Sequence, residues 1–478
     1  MASSSAVHER HGVPSPKSAH YTDLGNARRL VKMHGKDLRY CRAVGGWLVW
    51  DGRRWKRDES GEVLRRAKQT VLAILDEAKK LKGDEQFKKL VRHALVSQGE
   101  ARLHAMVKLA ESEVGVAVTP DELDANAELL NVFNGTLDLR TGRLRSHKRS
   151  DLITKLAPVN YDPNAHHELW DQYLDTSTAG DKDLSAFLQR AVGYSLSGLT
   201  SEEKLFFVFG PEATGKTTFI EAIKATLGDY AATTDFETFL KRPTTGAARS
   251  DIARLANVRF VASVEVDDGK HLAEGLVKQS TGGDRITARF LFKEYFEFTP
   301  RFKLWLAANH APKVRDDDAA MWRRILRIPF EHTVPEEKRN PMMKATLRDP
   351  KLGGPAILAW AVAGYRAWRK SGLGVPPSVK KATEAYRAEM DPIKGFLDQC
   401  CVIEEGAAAT AASLWGAYCE WAQYTGGVRM LKRPEFGQRL RARGCESKKG
   451  AQGVRLWRGI RLLNDDDESS TADEGTDE

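Results

Sequence analysis

One eight-residue segment constrains this 478-residue chain more than any other feature, since residues 210–217 read Gly-Pro-Glu-Ala-Thr-Gly-Lys-Thr. An apolar run at 205–209 precedes the segment, and residues 218–227 have the composition of a helix. In the pattern GxxxxGK[ST], the glycines let the backbone curl so that its N–H groups point at phosphate oxygens. The amino end of the following helix adds partial positive charge there. Strand, loop and helix together predict nucleotide binding in an α/β domain rather than a chance glycine-rich turn.

The loop residues have individual predicted roles. Lys216 is expected to reach the β- and γ-phosphates and Thr217 to place its hydroxyl on Mg²⁺, so ATP and Mg²⁺ are the predicted ligands. The residues predicted to line the nucleotide are Gly210, Pro211, Glu212, Ala213, Thr214, Gly215, Lys216, Thr217 and Thr218.

Two later apolar strands are predicted to end in polar residues. The strand at 259–264 ends at Glu265, which we expect to hold the Mg²⁺ shell and polarise the attacking water, with Asp267 as its accessory. The strand at 302–308 ends at Asn309, whose amide can bind the lytic water or the γ-phosphate. Taken alone, either could be an ordinary strand-end residue. Their order after the phosphate-binding loop favours the catalytic interpretation.

Two basic segments follow the same logic. The run Trp-Arg-Arg-Ile-Leu-Arg at 322–327 carries arginines that could stabilise a transferring phosphoryl group, often from a neighbouring subunit, which predicts an oligomer. A solvated basic helix face is the alternative. Residues 278–295 place basic and aromatic residues around a Gly-Gly turn, which suits a loop that grips a nucleic-acid backbone.

In this order the motifs resemble the superfamily 3 helicases, and more closely the primase–helicase proteins of phages, plasmids and poxviruses. The resemblance is carried by GPEATGKT, STGGDRITAR, KLWLAANHAP and WRRILRIPF. Ahead of them, TDLGNARRL, WLVWDGRRW and NVFNGTLDLRTG are similar to the region that precedes the motor in that family. The resemblance covers about residues 22–330 and weakens towards the end of the chain.

The resemblance implies an AAA+-like core in a hexameric ring that moves 3′→5′ on single-stranded DNA. It implies these roles: Walker A for Lys216 and Thr217, Walker B for Glu265 and Asp267, sensor for Asn309, arginine finger for Arg324 with Arg323, and pore contacts to DNA for Lys278, Arg285, Arg289 and Lys293. Many relatives carry an upstream polymerase-like primase domain. Only about 20 residues precede Tyr21, so we expect no priming by this chain and a separate primase or polymerase as a partner.

Charge and composition agree with a polyanionic partner. The net charge is +9 although residues 464–478 hold eight acids and no base, so the remainder is strongly basic. Solubility alone is the alternative. The sequence has no secretory signal and no apolar run of membrane-spanning length, and its five cysteines lack metal-site spacing. We expect a reduced, cytoplasmic protein of a bacterial host, encoded by a phage or mobile element.

The carboxyl-terminal part resembles a DNA-binding module. A helix at 412–424, a basic helix at 432–444 and a hairpin at 446–463 follow the order of a winged helix. A basic protein-docking module is the alternative. The residues predicted to bind DNA are Lys432, Arg433, Arg439, Arg441, Arg443, Lys448 and Lys449.

The predicted fold class is α/β, with a P-loop AAA+-like superfamily 3 helicase core, an amino-terminal α+β region and a carboxyl-terminal winged-helix domain. Pro376 and Pro377 are expected to mark a linker. The predicted units are a disordered leader (1–20), an α+β domain (21–165), a helical collar (166–200), the ATPase (201–335), a helical extension (336–375), the winged-helix-like domain (376–463) and an acidic disordered tail (464–478).

The predicted function is a replicative DNA helicase that acts on single-stranded and forked DNA. One alternative is an origin-binding protein whose ATPase is regulatory. Another is a P-loop small-molecule kinase, which would not need a basic carboxyl-terminal unit.

Overall fold

The computed structural model describes residues 21–43, 45–240, 250–264, 270–289, 295–315, 318–425, 430–449 and 453–463. Its amino-terminal region combines four helices with a small antiparallel sheet of order β1-β2-β3. Apolar residues of the second helix recur every three or four positions. Those of its first half are buried against the first and fourth helices, and those of its second half against the third. An Asp51-Gly52 turn, a residue pair typical of hairpins, joins strands β2 and β3. The elements are α1 Asp23–His34, β1 Leu38–Cys41, β2 Gly46–Trp50, β3 Trp55–Arg57, α2 Glu62–Lys79, α3 Asp84–Ser97 and α4 Glu100–Ala110.

A second antiparallel sheet and two helices connect this region to the central sheet. A hairpin turns between Val132 and Gly135, which pair directly. Asn131 is fully buried, and its side chain donates to Arg53 O (2.9 Å) and accepts from Thr136 Oγ1 (2.9 Å). The elements are β4 Leu129–Val132, β5 Gly135–Asp138, β6 Arg143–Arg145, α5 Glu168–Ser177 and α6 Lys182–Leu196.

The centre of the protein is a five-stranded parallel sheet of order β13-β7-β12-β9-β8, as the alternating apolar strands and helices predict. A separate antiparallel pair, β10 and β11, lies between β9 and β12 in the chain. The elements are β7 Leu205–Phe209, α7 Lys216–Leu227, β8 Ala231–Thr233, α8 Ser250–Ala253, β9 Phe260–Val264, α9 Glu274–Gly282, β10 Ile286–Ala288, β11 Phe296–Phe298, β12 Lys303–Ala308, α10 Ala319–Trp322 and β13 Ile325–Pro329.

Both faces of this sheet are covered. Phe206 and Trp305 belong to one apolar core, which α6, α7 and the long helix α12 (Gly354–Ser371) complete. Phe207 belongs to the core on the opposite face. Helices α6 and α12 approach closely because glycines meet at their crossing, and a Cβ at Gly364 would lie 1.9 Å from the carbonyl oxygen of Gln189.

The expected linker at Pro376 and Pro377 is wrong. These prolines begin helix α13 (Pro377–Glu389), which packs along the edge strand β13. Tyr386 of this helix is buried in the core of the central sheet and donates a hydrogen bond to the carbonyl of Pro312. Arg327 of β13 pairs with Glu389 at 2.9 Å. The helix therefore extends the central domain, which also includes α11 (Pro341–Arg348).

The carboxyl-terminal unit has its own apolar core, which begins at Ile393. Two helices are followed by a β-hairpin, as predicted, and a third strand, β15, pairs with β17 to complete a sheet of order β15-β17-β16. Phe436 of the basic helix packs against Tyr418 at a ring distance of 4.8 Å. The elements are α14 Lys394–Cys400, β14 Cys401–Val402, β15 Ala408–Thr410, α15 Ala411–Thr425, α16 Arg433–Ala442, β16 Glu446–Lys449, β17 Arg455–Arg458 and β18 Arg461–Leu462.

Candidate functional site

The loop between β7 and α7 has the backbone of an anion-binding cradle. Gly215 precedes the first residue of α7 with a φ of +90°, and Ala213 has a φ of +59°. Alternation of left-handed and helical residues turns consecutive N–H groups towards one point. Thr217 lies in the first turn of α7 and is exposed. The predicted strand–loop–helix arrangement is confirmed, with the open amino end of a helix at its centre.

Close packing explains why the first loop position is glycine. A Cβ on Gly210 would lie 1.8 Å from the carbonyl oxygen of Phe330, at the end of the adjacent strand β13. Phe330 N donates to Phe209 O at 2.8 Å, so the neighbouring backbone is held in place. Any side chain at Gly210 would therefore displace the start of the loop.

Lys216 folds back over the loop that it follows. Its Nζ donates to Gly210 O (2.7 Å) and to the carbonyl of Pro211, and lies 3.3 Å from Thr214 Oγ1. The side chain is buried, and burial lowers the pKa of Lys216 from its ordinary value. The ammonium group thus sits at the centre of the cradle, where an incoming phosphate would replace the backbone carbonyls as its partner.

Tyr173 supports the loop from behind, a role that the sequence did not predict. Its hydroxyl donates to Gly215 O at 3.0 Å, and its ring stacks on Trp170 of the same helix α5. A Cβ on Gly215 would come within 3.0 Å of Tyr173 and of Ser177 Oγ. Burial raises the pKa of the Tyr173 hydroxyl, which stays a hydrogen-bond donor. Helix α5 therefore fixes the position of the loop.

The positive φ of Ala213 gives a first testable prediction. A left-handed conformation costs a non-glycine residue roughly 1 kcal/mol, so Ala213→Gly is expected to raise the free energy of unfolding by a few tenths of a kcal/mol despite glycine's larger unfolded-state entropy. Ala225→Gly, in the last turn of α7, is the matched control and should cost up to about 1 kcal/mol. Denaturant unfolding of both variants measures this difference, and equal destabilisation of the two would contradict it.

The strand ends meet at the edge of the sheet that carries the loop. Strand β12 pairs with β7 so that Ala308 lies beside Phe209, which places Asn309 next to Gly210. Strand β9 ends at Val264, paired with Ala307. Glu265 and Asp267, predicted to follow this strand as the Mg²⁺-binding and water-polarising pair, lie outside the described residues. Asn309 is exposed at this edge, and its sensor role stays a prediction.

Arg323 and Arg324 lie at the opposite edge of the sheet. They precede β13, whose first residue, Ile325, pairs with Leu205 at the start of β7. Both arginines bind Glu203, at 3.2 Å and 2.8 Å, but Arg324 is buried whereas the Arg323 side chain is 64% exposed. Neither can reach the phosphate-binding loop of its own chain. Arg323 is therefore the more accessible of the two to a neighbouring molecule. The role of arginine finger, predicted for Arg324, stays a prediction.

The predicted DNA-binding residues of the central domain surround the β10–β11 hairpin. Lys278 of α9 pairs with Asp318 at 2.7 Å, which also lowers the pKa of that carboxyl group. Arg285 precedes β10 and lies 3.6 Å from Glu297 of β11, with 71% of its side chain exposed. Arg285 is therefore available to solvent, whereas Lys278 already has a carboxylate partner.

The outer end of the hairpin carries a cation and an aromatic ring. The Arg289 guanidinium lies 4.7 Å from the centre of the Tyr295 ring, and Tyr295 is 60% exposed. Tyr295 was not among the predicted site residues, although the sequence places it within the same basic and aromatic run. Lys293, predicted to contact DNA, lies outside the described residues.

The carboxyl-terminal basic residues divide into two groups. Arg439 and Arg443 both pair with Asp391, at the junction that follows α13, and are only partly exposed. This contact ties α16 to the preceding segment, so these two arginines have a structural partner that the sequence did not reveal. The other predicted DNA-binding residues are exposed: Lys432, Arg433, Arg441, Lys448 and Lys449.

Three family models match separate parts of the chain. Residues 27–178 match a model described as D5 N terminal like, and residues 388–445 match one described as poxvirus D5 protein-like. Between them, residues 208–324 match a family of unknown function. The three matches fall on the amino-terminal region, the central sheet and the carboxyl-terminal unit.

Several curated viral proteins are similar to the chain. A putative helicase of Acanthamoeba polyphaga mimivirus is 29% identical over 58% of the chain and 30% of its own length. A putative helicase of Frog virus 3 is 24% identical over 71% of the chain and 43% of its own length. The chain therefore spans less than half the length of either. Because these relatives come from viruses of eukaryotes, they do not support the expected bacterial host.

Among solved structures, two forms of the NrS-1 carboxyl-terminal region without ligands are similar to the chain. One is 13% identical, covers 75% of the chain and 89% of that structure, and has a TM-score of 0.45. The other is 12% identical, covers 67% of the chain and 88% of that structure, and has a TM-score of 0.40. Among the described residues, no helix has the length and apolar character needed to cross a membrane.

Proposed function

We propose that the chain is a member of the poxvirus D5-like primase–helicase family and an ATP-dependent DNA helicase that moves on single-stranded DNA and unwinds duplex during replication. One observation carries this proposal. The cradle that ends at Lys216 and the exposed amide of Asn309 share one sheet edge, and a hairpin with exposed basic and aromatic residues follows the adjacent strand. In the proposed P-loop core of the superfamily 3 type, neighbouring strands would thus carry nucleotide hydrolysis and a nucleic-acid contact.

We further propose ATP and Mg²⁺ as the ligands of the cradle. The inward N–H groups of the loop, the Lys216 ammonium and the exposed Thr217 hydroxyl fit a triphosphate with its metal ion. Mg²⁺, when bound, would neutralise charge on the β- and γ-phosphates. Glu265 would orient the attacking water, and Asn309 would hydrogen-bond that water or the γ-phosphate. Tyr173, through its hydrogen bond to Gly215 O, would hold the loop in position relative to Glu265 and Asn309.

The site is proposed to be completed by a second copy of the chain. Arg323 and Arg324 lie at the edge of the sheet opposite to the loop, and Arg323 is exposed there, so an arginine finger from this segment would act on ATP bound to a neighbouring subunit. This placement suits a ring, which we propose to be a hexamer with one ATP at each interface. The β10–β11 hairpins would then line its central pore, with Arg285, Arg289 and Tyr295 towards single-stranded DNA.

The carboxyl-terminal unit is proposed to be a winged-helix domain that binds duplex DNA. Its order of strand, two helices and hairpin, with β15 paired to β17, fits that module. Exposed Lys432, Arg433 and Arg441 would contact DNA from the helix, while Lys448 and Lys449 would touch phosphates from the hairpin. A separate primase or polymerase is the further partner that a replicative role would require.

ATP hydrolysis with and without single-stranded DNA, measured beside strand displacement on a forked duplex, tests the proposal. We expect hydrolysis that DNA stimulates, together with ATP-dependent displacement of one strand. Tight DNA binding without hydrolysis would instead favour an origin-binding protein, and hydrolysis that DNA does not affect would favour a small-molecule kinase.

A further inference from the structure

A cavity of about 410 Å³ opens between α1, α3 and α4 of the amino-terminal region. Its longest wall is one face of α3, since Lys89, Arg92, His93 and Val96 recur at the spacing of a single helical face. The opposite wall comes from the start of α1, including Tyr21. None of these residues belongs to the nucleotide site, the hairpin or the carboxyl-terminal unit.

The side chains that line the cavity carry a net positive charge. Arg102 of α4 lines it but pairs with Asp23 at 2.6 Å, so these two charges cancel. Lys89 and Arg92 are exposed, and within the described ranges neither forms an ion pair. Two positive charges therefore face an open cavity, which favours an anionic ligand.

The floor of the cavity is fixed by a buried polar network. His93 Nε2 lies 2.9 Å from Asn26 Oδ1, and Asn26 Nδ2 donates to Ser97 Oγ at 2.9 Å. Asn26 and Ser97 are buried, and because an amide oxygen only accepts, the hydrogen lies on His93 Nε2. Burial and the nearby Arg29 lower the pKa of His93, so its ring is held neutral in one orientation. The cavity is therefore a preformed surface rather than a gap between mobile side chains.

Apolar and aromatic surface lies beside the two cations. The ring centroids of Tyr21 and His93 lie 5.8 Å apart in an edge-to-face arrangement, and Tyr21 is still 39% exposed. Val96 is 54% exposed. We propose that this cavity binds a segment of single-stranded DNA, with phosphates on Lys89 and Arg92 and a base against Tyr21 and Val96. A free nucleotide offers the same phosphate and base, so the test must distinguish a strand from a single nucleotide.

The test uses the full chain with a fluorescein-labelled oligothymidylate and no ATP, and it follows fluorescence anisotropy as salt is varied. Removing two phosphate contacts lowers the slope of log K against log salt by about 1.4 for a single strand. Lys89→Ala/Arg92→Ala is expected to show this change and to bind about tenfold more weakly at low salt. Lys68→Ala/Lys80→Ala is the control, because it removes one exposed lysine within α2 and another at the residue that ends this helix. It should leave the slope of log K against log salt unchanged.

Cross-linking localises the contact. An oligonucleotide with 4-thiothymidine should cross-link to peptides from residues 83–102 in the wild type and much less in the double variant. An unchanged salt slope together with no cross-link in this range would overturn the proposal. Displacement of the strand by equimolar thymidine monophosphate would also overturn it, since the site would then take free nucleotides. Both readouts are independent of ATP hydrolysis, so a failed ATPase assay would not affect them.

Discussion

Replacing Lys216 with alanine is expected to lower ATP turnover by at least about 100-fold, the usual cost of one preorganised donor to a developing phosphoryl charge. The large effect follows from position, because the ammonium group lies at the centre of the cradle and no other side chain of the loop carries positive charge. Steady-state hydrolysis at saturating ATP, measured beside strand displacement, gives the size of the loss. DNA binding without nucleotide should stay within about twofold of wild type, since the loop is not a proposed DNA contact.

The same variant should remain folded. The hydrogen bonds of Lys216 go to the loop itself, to Gly210 O and Pro211 O, so its removal exposes these carbonyls to water but takes no side chain from the core. Lys224→Ala is the matched control, because this lysine lies two turns later in α7 and pairs with the surface carboxylate of Glu221 at 2.7 Å. Control turnover should equal that of wild type. Turnover of Lys216→Ala within tenfold of wild type, at an unchanged unfolding midpoint, would show that the cradle is not the hydrolytic site.

Local patterns predicted the parts of the fold that local chemistry decides. The buried strand before Gly210, the strand before Asn309 and the carboxyl-terminal hairpin are each determined by residues within a few positions of one another. Asn309 was placed correctly beside the loop because parallel strands end at the same edge of a sheet. These predictions required no knowledge of which distant segments touch.

Features that depend on distant segments were not predicted. Tyr173 supports the loop across 42 positions of sequence, and nothing in α5 distinguishes it from an ordinary buried tyrosine. The basic character of their segment led to the prediction that Arg439 and Arg443 bind DNA. The sequence did not reveal that both pair with Asp391, because this contact is visible only in three dimensions. The sequence predicted a linker at Pro376 and Pro377. This prediction failed because a proline pair also occurs at the start of a packed helix, as it does in α13.

The buried cations at the amino edge of the sheet give the second large prediction. Arg259, just before β9, donates to Leu196 O and Leu129 O at 2.7 Å each and stacks on Tyr230. It is buried in the folded chain, and it joins the end of α6 and the start of β4 to the central sheet. We expect Arg259→Met to lower the free energy of unfolding by about 3 kcal/mol, because two buried carbonyls lose their donors.

Lys303, the first residue of β12, closes the same end of α6. Its Nζ contacts the carbonyl of Ser197 and lies 3.1 Å from Leu199 O and 3.2 Å from Arg301 O, which matches the three donors of an ammonium group. Lys303→Met should likewise cost about 3 kcal/mol. Hydrophobic replacement of a buried charge is neutral only when its partners are replaced too, and the backbone carbonyls at the end of this helix remain in the variant.

Thermal and denaturant unfolding measure the loss of stability in both variants, Arg259→Met and Lys303→Met. Arg254→Met, an exposed arginine near Arg259, is the control and should change stability by at most about 0.5 kcal/mol.

The pH dependence of stability separates Lys303 from Arg259. Burial lowers the pKa of Lys303 well below 10.5, so between the folded and unfolded pKa values the unfolded chain binds a proton that the folded chain does not. Folding stability contributed by this group therefore rises with pH across that interval and falls as pH decreases. The difference in unfolding free energy between wild type and Lys303→Met should widen as pH is raised towards 10.5. For Arg259→Met it should stay constant, because burial lowers the pKa of Arg259 too but a guanidinium stays protonated throughout this range. A constant difference for both would mean that the Lys303 amine keeps its ordinary pKa in the folded protein. The three carbonyls at the end of α6 would then hold a fully charged ammonium group throughout this range.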